Sequence, residues 1–418
     1  MKLYVFDDSA ADAWTPFALS RPCCELLYGR WILRERLEHL ARVPAAGIIT
    51  RPWLSDFVEG GTPPVVQPAD IDTGEDRLFL CSRAVPALTA RPGAAEGGPG
   101  DTDLSADGRN LTMAGRPIGC YLPGGTANPD SGWFGEPARI GNLSTLDLDG
   151  TVLEHSWDLV AGSPQQLAED LAALVPGGTG LRSDAPELPA GVFLLGRPHL
   201  RLDDGVAIEP GVVLDTREGP IWLGENVEVR AGARLAGPLY AGPGSRLLGG
   251  SISCLSAGPF SYLRGEIEET VVLGYTNKAH DGFLGHAYLG RWVNLGAMTT
   301  NSDLKNNYGT IRIGPSSGVV DTGLVKLGCL LGDHVKTGIG VLLNTGTVVG
   351  AGSNLFGSAM PPKWVPPFSW GSGSALETYR RGDFLATATK VMGRRKPPAD
   401  PATHRWLGAV WDRARSTM

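Results

Sequence analysis

The chain has 418 residues, enough for two or three domains that each bury a core. Its formal net charge of -7 argues against a general nucleic-acid binder, which would be basic. No stretch approaches the ~18 apolar residues that span a membrane. The first ten residues, MKLYVFDDSA, lack the apolar run of a signal peptide, and the six cysteines form no CxxC pair. We therefore expect a cytoplasmic protein with reduced thiols, and neither nucleic acid nor a membrane as partner.

The first part of the chain alternates predicted strands and helices. The spacing of apolar residues predicts strands at 2–6, 47–50 and 78–81, and helices at 25–41 and 159–174. Such alternation is typical of an α/β domain, which we expect over residues 1–175. Residues 91–110 are predicted to form a surface loop, and the Gly- and Pro-rich residues 176–190 a linker.

Further along the chain, an apolar or small residue recurs at every sixth position. The runs are Ile221, Val227, Ala233 and Leu239; then Phe283, Leu289 and Leu295; then Val325, Leu331, Thr337, Leu343, Val349 and Leu355. A period of six fits neither a helix nor a simple alternating strand. It predicts a parallel β-helix over residues 191–373, in which the recurring residues form one apolar column. Residues 374–418 are predicted to form a helical tail, with helices near 375–392 and 403–414.

The repeat is interrupted by a polar stretch at 298–310 (MTTNSDLKNNYGT). A loop that leaves a solenoid is a common place for a binding site. Just before it lies a dense polar cluster at 277–286 (NKAHDGFLGH). The sequence therefore predicts a functional site in this part of the β-helix.

Three of the seven histidines fall in or near this cluster: His280, His286 and His334. A neutral imidazole can take the proton of an amine that attacks a thioester, and nearby lysine and asparagine side chains suit a phosphate-bearing acceptor. Two other interpretations stay open. The polar residues could cap corners of a solvated face, or the three histidines could hold zinc with one position open for water.

Residues 266–297 (EIEETVVLGYTNKAHDGFLGHAYLGRWVNLGA) resemble the acetyltransferase core of the bifunctional glucosamine-1-phosphate acetyltransferase/N-acetylglucosamine-1-phosphate uridyltransferase family. The resemblance implies a left-handed β-helix in which His280 deprotonates the glucosamine amine. It also implies that Glu266 lies near the acceptor sugar, Asn294 near the transfer site and Ala297 near acetyl-CoA. Further candidates for holding the acceptor are Arg264, Asn277, Lys278, Lys305 and Tyr308.

The chain from about residue 1 to 390 is more closely similar to a divergent branch of that family, the sugar nucleotidyltransferases with a hexapeptide-repeat domain. The stretches that carry the similarity include Ser20-Arg21-Pro22, 157–159, 274–290, 304–307, 332–337, 344–347 and 368–371. This chain departs from the branch at Glu268, where a basic residue is usual, and in the longer loop at 298–310.

The N-terminal domain departs further, because no Gly-rich phosphate loop follows its first strand. Arg21 could bind the nucleotide phosphates, with Glu25 beside it and Arg34 or Arg30 as a second cation. A second interpretation has Arg21 in a turn and Arg34 paired with Glu38. Magnesium ligands stay unassigned, and the candidates are Asp7, Asp8, Asp101 and Asp103.

These inferences combine into one expected function. We expect a homotrimeric transferase that acetylates an amino-sugar phosphate from acetyl-CoA, and that transfers a nucleotidyl group from a nucleoside triphosphate such as UTP, with Mg²⁺, in the synthesis of UDP-N-acetylglucosamine or a related nucleotide sugar. The alternatives are an inactive N-terminal domain that serves as sensor or scaffold, a zinc enzyme of carbonic-anhydrase type on the β-helix, and a purely structural trimer.

Overall fold

The computed structural model describes residues 1–88, 108–173, 188–196, 199–395 and 401–416. Most of the predicted loop at 91–110 and of the predicted linker at 176–190 therefore lies outside the described residues. Asp101 and Asp103 lie outside them as well. Among the described residues, no helix combines the length and the apolar composition that crossing a bilayer requires.

The N-terminal domain is built on a mixed sheet in the order β4-β1-β5-β8-β7-β9. Strand β1 runs parallel to β4 and β5, as the predicted α/β alternation requires, and β8 is antiparallel to β5. The strands are β1 (Lys2–Phe6), β2 (Leu27–Tyr28), β3 (Trp31–Ile32), β4 (Ala45–Ile49), β5 (Arg77–Cys81), β6 (Ala84–Pro86), β7 (Arg109–Met113), β8 (Arg116–Leu122), β9 (Ser144–Leu148) and β10 (Gly150–Val152). The helices are α1 (Ser9–Asp12), α2 (Leu33–Ala41), α3 (Ser131–Gly135), α4 (Asp158–Ala161) and α5 (Ser163–Ala173), with single 3₁₀ turns at Cys23–Glu25, Pro52–Leu54 and Pro68–Asp70.

The helix predicted at 25–41 is wrong in its first half. The segment begins with a 3₁₀ turn and a short hairpin of β2 and β3, and the helix starts only at Leu33. Gly29 lies between the two strands at a φ of +61°, a left-handed conformation that lets the chain reverse there. The apolar spacing at Leu26 and Trp31 thus belongs to a hairpin that packs against its neighbours.

From β11 onward the chain forms a coil with three faces. Face A contains β11 (Phe193–Leu195), β14 (Val213–Asp215), β17 (Ala233–Ala236), the first halves of β20 (Gly250–Ala257) and β22 (Glu266–Val272), then β24 (Phe283–Gly285), β27 (Thr300–Asn301) and β32 (Leu342–Leu343). Face B contains β12 (Leu200–Leu202), β15 (Ile221–Leu223), β18 (Leu239–Ala241), the second halves of β20 and β22, β25 (Tyr288–Leu289), β30 (Cys329–Leu331), β33 (Thr347–Val349) and β35 (Trp364–Val365).

Face C contains β13 (Ala207–Ile208), β16 (Glu228–Val229), β19 (Arg246–Leu247), β21 (Tyr262–Leu263), β23 (Asn277–Lys278), β26 (Asn294–Leu295), β31 (Lys336–Thr337), β34 (Asn354–Leu355) and β36 (Ser369–Ser372). Within each face the coil strands pair in parallel with the strand one turn away, except that β24 and β27 on face A are not paired with each other. This stack of parallel strands agrees with the β-helix that the repeat predicts. Its handedness stays a prediction.

The six-residue period identifies most of the inner column correctly. Ile221, Val227, Leu239, Leu289 and Leu295 are all buried in one continuous apolar core, and most of the other predicted positions join them. Two predicted positions are wrong. Val325 is exposed, and Phe283 is only half-buried while the next residue, Leu284, fills the core. Both errors lie where the coil changes register, around the corner before β24 and in the segment that leaves the coil.

The segment that leaves the coil, called here the ejected segment, comprises residues 302–328. It starts after β27, about a third of the way through the predicted interruption at 298–310, and the chain returns to the coil at β30. Before it, Thr300 and Asn301 still pair with Leu342 and Leu343. Inside it, β28 (Arg312–Ile313) and β29 (Val320–Asp321) form an antiparallel hairpin. The interruption is therefore longer than predicted and begins later.

The N-terminal domain packs on face B. Tyr288, Leu330 and Val348 point outward from that face into a buried cluster that includes Phe17 and Leu27. The Tyr288 ring lies 4.6 Å from the Phe17 ring, and its hydroxyl accepts a 2.8 Å hydrogen bond from the amide N–H of Leu27. A flat β-helix face and the α/β domain thus share one apolar interface.

The tail returns the chain to the N-terminal domain. It consists of β37 (Ala375–Thr378), antiparallel to β36, then α6 (Arg381–Gly393) and α7 (Pro401–Ser416). The predicted helix at 375–392 is therefore a strand in its first four residues. Trp406 in α7 packs edge-on against Phe57 and donates a 2.8 Å hydrogen bond to the carbonyl oxygen of Ser20.

Candidate functional site

Three corners join the faces of the coil, and the three clustered histidines lie on three different corners. His280 lies between faces C and A, on the C–A corner, where the chain turns from β23 into β24. His286 lies between faces A and B, on the A–B corner, and His334 between faces B and C, on the B–C corner. Each corner has its own surroundings, which decide what its histidine can do.

At the C–A corner the His280 ring is exposed, and none of the hydrogen bonds found among the described residues involves it. Beside it, Asp281 pairs with Arg264 at 3.0 Å. On the outer side of face C, Asn277 donates a 2.9 Å hydrogen bond to the side chain of Asn294 one turn away. An exposed imidazole with neither nitrogen engaged is suited to accept a proton from a bound amine.

Two more predicted residues lie close to this corner. Glu266 begins β22, opposite Phe283, which begins β24 just after the corner. Ala297 lies at the same corner one turn further on, where its carbonyl oxygen accepts from the amide of Gly340. The structure thus brings the predicted Arg264, Glu266, Asn277, Asn294 and Ala297 to the corner of His280.

Lys278 was expected to hold the acceptor, but its side chain points into the coil. Lys278 is 1% exposed and pairs in register with Leu263 of the apolar column. Its ammonium donates to the carbonyl oxygens of Arg264, at 3.0 Å, and of His280. Burial lowers the pKa of Lys278 to about 8. It therefore holds the backbone of the C–A corner from inside and does not reach a ligand outside the coil.

A strip of exposed apolar side chains continues from His280 along the C–A corner. Met298 lies on the next turn of the coil at the same corner, since its amide donates to the carbonyl oxygen of Asp281. Ile339 and Phe356 follow on the next turns, with Leu342 beside them on face A. Met298 is 56% and Ile339 79% exposed. Apolar side chains so exposed and contiguous are typical of a surface that another protein chain covers.

At the A–B corner His286 is enclosed by carboxylates. Its Nδ1 lies 2.8 Å from Asp303 and its Nε2 3.1 Å from Glu269. Burial lowers and the two carboxylates raise the pKa of His286, and the net direction is upward. Glu268 completes a group that could hold a cation, and it also faces Lys326 at 3.6 Å. Both ring nitrogens are occupied, so His286 is not free to act as a base.

At the B–C corner His334 is buried between the rings of Trp292 and Phe384. Neither ring nitrogen has a hydrogen-bond partner among the described residues, and burial lowers the pKa of His334 to about 3. The predicted zinc alternative needed this ring to meet His280 and His286. The three rings lie on separate corners and His334 is covered, so the geometry does not favour that site.

Lys305 and Tyr308, the remaining acceptor candidates, lie on the ejected segment. That segment leaves the coil at the A–B corner, at the other end of β24 from His280. Tyr308 is 71% exposed, and the Lys305 ammonium donates to the carbonyl oxygen of Thr310 within the segment. Within one chain the structure therefore does not bring these two residues to His280.

The carboxyl ends of β1, β4 and β5 meet at one edge of the N-terminal sheet, where an α/β domain usually binds its ligand. Asp7 accepts hydrogen bonds from Thr50 and the amide of Cys23 and lies 3.2 Å from Arg51. Asp8 pairs with Arg83 at 2.6 Å and caps α1. Both candidate magnesium ligands are thus occupied by the protein's own donors, and the described residues do not fit a magnesium site here.

Arg21, the predicted phosphate ligand, is fully buried between the two domains. It pairs with Glu59 at 3.0 Å and with Asp333 of the β-helix at 2.9 Å. Burial opposes and the two carboxylates favour its charge, and the net effect raises the pKa of Arg21. A guanidinium neutralised in this way cannot also receive a nucleotide phosphate without breaking the interface.

Glu25 and Arg34 are likewise buried and pair with each other, and Arg34 also pairs with Glu38 at 2.9 Å. Arg30, the alternative second cation, lies over the ring of Trp222 in the β-helix, 3.9 Å from its centre. The residues predicted to bind the nucleotide are thus engaged with partners inside the protein, and their role toward a nucleotide stays a prediction. These side chains hold the fold and the domain interface together.

Comparisons with known proteins give two sequence matches to parts of this chain. Residues 3–178 match the family model described as sugar nucleotidyl transferase. A bifunctional sugar-1-phosphate nucleotidylyltransferase/acetyltransferase of Sulfurisphaera tokodaii is 27% identical over 117 residues, which cover 25% of this chain and 29% of the relative. The family model thus spans the whole N-terminal domain, and both matches describe transferases. The match spans less than a third of the relative's length.

A solved structure of the UDP-N-acetylglucosamine acyltransferase of Arabidopsis is 12% identical, with a TM-score of 0.26. The similarity covers 54% of this chain and 88% of that one. A TM-score this low does not establish a common fold.

Two features of the site escaped the sequence reasoning. The first is the burial of Lys278, although its signal was present: Val272, Lys278 and Leu284 are six residues apart, and both neighbours are in the core. The second is the group of Glu269, His286 and Asp303. No local pattern joins these three residues, because the coil and the ejected segment bring them together.

Proposed function

We propose that this chain is a sugar-directed acyltransferase whose active centre is the C–A corner, with His280 as general base. One observation carries the proposal: the His280 ring is exposed, its two nitrogens have no hydrogen-bond partner among the described residues, and it lies beside the exposed apolar strip. The other two clustered histidines lack one or more of these properties.

The proposed reaction is acetyl transfer from acetyl-CoA to the amine of an amino-sugar phosphate. The imidazole of His280 takes a proton from the amine of the sugar, while the amine nitrogen attacks the carbonyl carbon of the thioester. The new C–N bond forms, the C–S bond breaks, and the leaving thiolate receives the proton back from the imidazolium. In this proposal Asn277 and Glu266 would contact the acceptor sugar, Asn294 would lie at the transfer site, and Ala297 would contact the acyl donor.

We further propose that the working form is a homotrimer. One coil corner alone is too flat to enclose a ligand the size of CoA. The apolar strip of Met298, Ile339, Leu342 and Phe356 offers a surface that a second copy could cover, and a pocket would then form between copies at His280. Left-handed coiling, acetyl-CoA as donor and a glucosamine-1-phosphate-type acceptor belong to the same proposal, supported by the resemblance of residues 266–297.

Nucleotidyl transfer by the N-terminal domain is a second candidate function, and the family match favours it. The strand-end edge of its sheet, however, has its carboxylates paired, and Arg21 is committed to Asp333. We therefore propose that the domain acts mainly as a scaffold or sensor for nucleotide sugars. Release of pyrophosphate from UTP with glucosamine-1-phosphate or its N-acetyl form, lost on Arg83→Ala, would contradict this assignment.

The acyltransferase proposal is tested by product analysis and by one matched pair of variants. The wild-type chain is mixed with acetyl-CoA and glucosamine-1-phosphate, and mass spectrometry follows the acetylated product while a thiol reagent follows CoA release. His280→Asn should lower kcat by about 10²- to 10⁴-fold, as the loss of a general base does. His155→Asn, at an exposed histidine of the N-terminal domain, should be unchanged. A His280→Asn enzyme at the wild-type rate would contradict the proposal.

A further inference from the structure

A cleft of about 580 Å³ opens between the ejected segment and the end of face B. Lys305, Arg312 and Ser316 line it on the side of the ejected segment, and Lys363 and Trp364 on the side of β35. The cleft contains three cationic side chains and one indole ring. It lies on the A–B side of the coil, away from His280.

The charges in this cleft are only partly balanced. None of the ion pairs found in the described part of the chain involves Lys305, Arg312 or Lys363. One carboxylate that senses these cations is Asp321, whose pKa is lowered first by hydrogen bonds from the Gly323 amide and the Thr310 hydroxyl, and then by the charges of Arg312 and Lys305. The residues that line the cleft thus include three cations and no carboxylate, so the lining itself is positively charged.

Two of the three cations contact the protein's own oxygen atoms before any ligand arrives. The Lys305 ammonium donates to the carbonyl oxygen of Thr310, and the half-buried Lys363 has its Nζ 3.5 Å from the hydroxyl of Thr345. Burial first, and then the charge of Lys305, lower the pKa of Lys363. Two ammonium groups that repel each other at close range would both be stabilised by a shared anion.

We propose that this cleft is a binding site for a phosphorylated small molecule. Its phosphate groups would contact Lys305, Arg312 and Lys363, and an apolar or planar part would contact the ring of Trp364. A guanidinium beside two ammonium groups suits a diphosphate or bisphosphate better than a single carboxylate. The site is separate from the C–A corner and does not rest on the proposed acyl transfer.

Calorimetric titration of the full chain with inorganic pyrophosphate tests this site. Arg312→Gln and Lys363→Met should each weaken binding at least tenfold, whereas Lys390→Met, at an exposed lysine of α6, should leave it unchanged. Raising NaCl to about 0.5 M should weaken binding to the wild type, because salt screens the attraction. His280→Asn should bind as the wild type does, which separates this site from the proposed active centre. Circular dichroism confirms that each variant is folded.

A second arm identifies the source of the phosphate. Adenosine 3′,5′-bisphosphate represents the nucleotide end of CoA, and UTP represents a nucleoside triphosphate. The compound that binds more tightly identifies the ligand class, provided that Arg312→Gln weakens its binding as it weakens that of pyrophosphate. No heat with pyrophosphate, or equal weakening in Lys390→Met and Lys363→Met, would overturn the proposal.

Discussion

Lys278 should make the stability of the β-helix depend on pH in a way that a Lys278→Met variant reveals. The lysine is enclosed in the apolar column opposite Leu263, with Asp281 and Arg264 as the charged groups nearest to it. Burial lowers its pKa to about 8, whereas a lysine in the unfolded chain titrates near 10.5. Methionine has a similar length, carries no charge and fits an apolar position.

The sign of the effect follows from these two pKa values. Below pH 8 the folded chain must carry a charge that its surroundings disfavour, so the lysine lowers the free energy of unfolding. As pH rises from 8 to 10.5 the folded state gives up this proton before the unfolded state does, and stability recovers. The difference between the two pKa values corresponds to about 3 kcal/mol at most.

Urea unfolding of the wild type and of Lys278→Met at pH 7 and at pH 10.5 measures this effect. The variant should be more stable than wild type at pH 7, and this advantage in the free energy of unfolding should shrink by up to about 3 kcal/mol at pH 10.5. The buried cysteines and tyrosines titrate in both proteins and cancel in the comparison. Lys390→Met, at an exposed site, should show no such change. A difference in the free energy of unfolding between Lys278→Met and wild type that is the same at pH 7 and pH 10.5 would refute the reasoning.

Three further predictions address the interface, the trimer and the A–B corner. Asp333→Ala should lose about 3 to 5 kcal/mol of stability, because the buried guanidinium of Arg21 keeps only one of its two carboxylate partners. Asp412→Ala, which breaks an exposed pair, should lose about 1 kcal/mol or less. Equal losses for the two variants in urea unfolding would contradict this. Ile339→Glu should sediment at one third of the wild-type mass, while Val320→Glu on the ejected hairpin should not; an unchanged mass for Ile339→Glu would remove the C–A strip as the contact. The stability that His286 contributes relative to His286→Asn should be fully present below pH 6.5 and disappear as pH rises through its raised pKa, and a pH-independent difference would argue against the carboxylate cage.

The parts of the fold with a regular local pattern could be predicted from the sequence. Strands β1, β4 and β5 lie within two residues of their predicted bounds, since each is a short apolar run between polar residues. The inner column follows the six-residue period, because each six-residue unit has to place one apolar side chain inside. The helix predicted from residue 25 failed because Leu26 and Trp31 pack as parts of a hairpin, which no helical periodicity can distinguish over so short a stretch.

The candidate site was predictable only in part. The corner of His280 gathers Arg264, Glu266, Asn277 and Asn294 from neighbouring turns, and a repeat of known period brings such residues together. Arg21 could not be assigned in the same way, because its partner Asp333 is more than 300 positions away and only domain packing joins them. A charged residue taken alone suggests a ligand, and its partner in the fold decides otherwise.

The most direct test of the central claim is a crystal structure of the His280→Asn chain with acetyl-CoA and glucosamine-1-phosphate. The account predicts that the sugar amine lies about 3 Å from the side chain at position 280, between two copies of the chain, with the thioester near Ala297. Density for both ligands at another corner or in the N-terminal domain, with the C–A corner exposed to solvent, would contradict it.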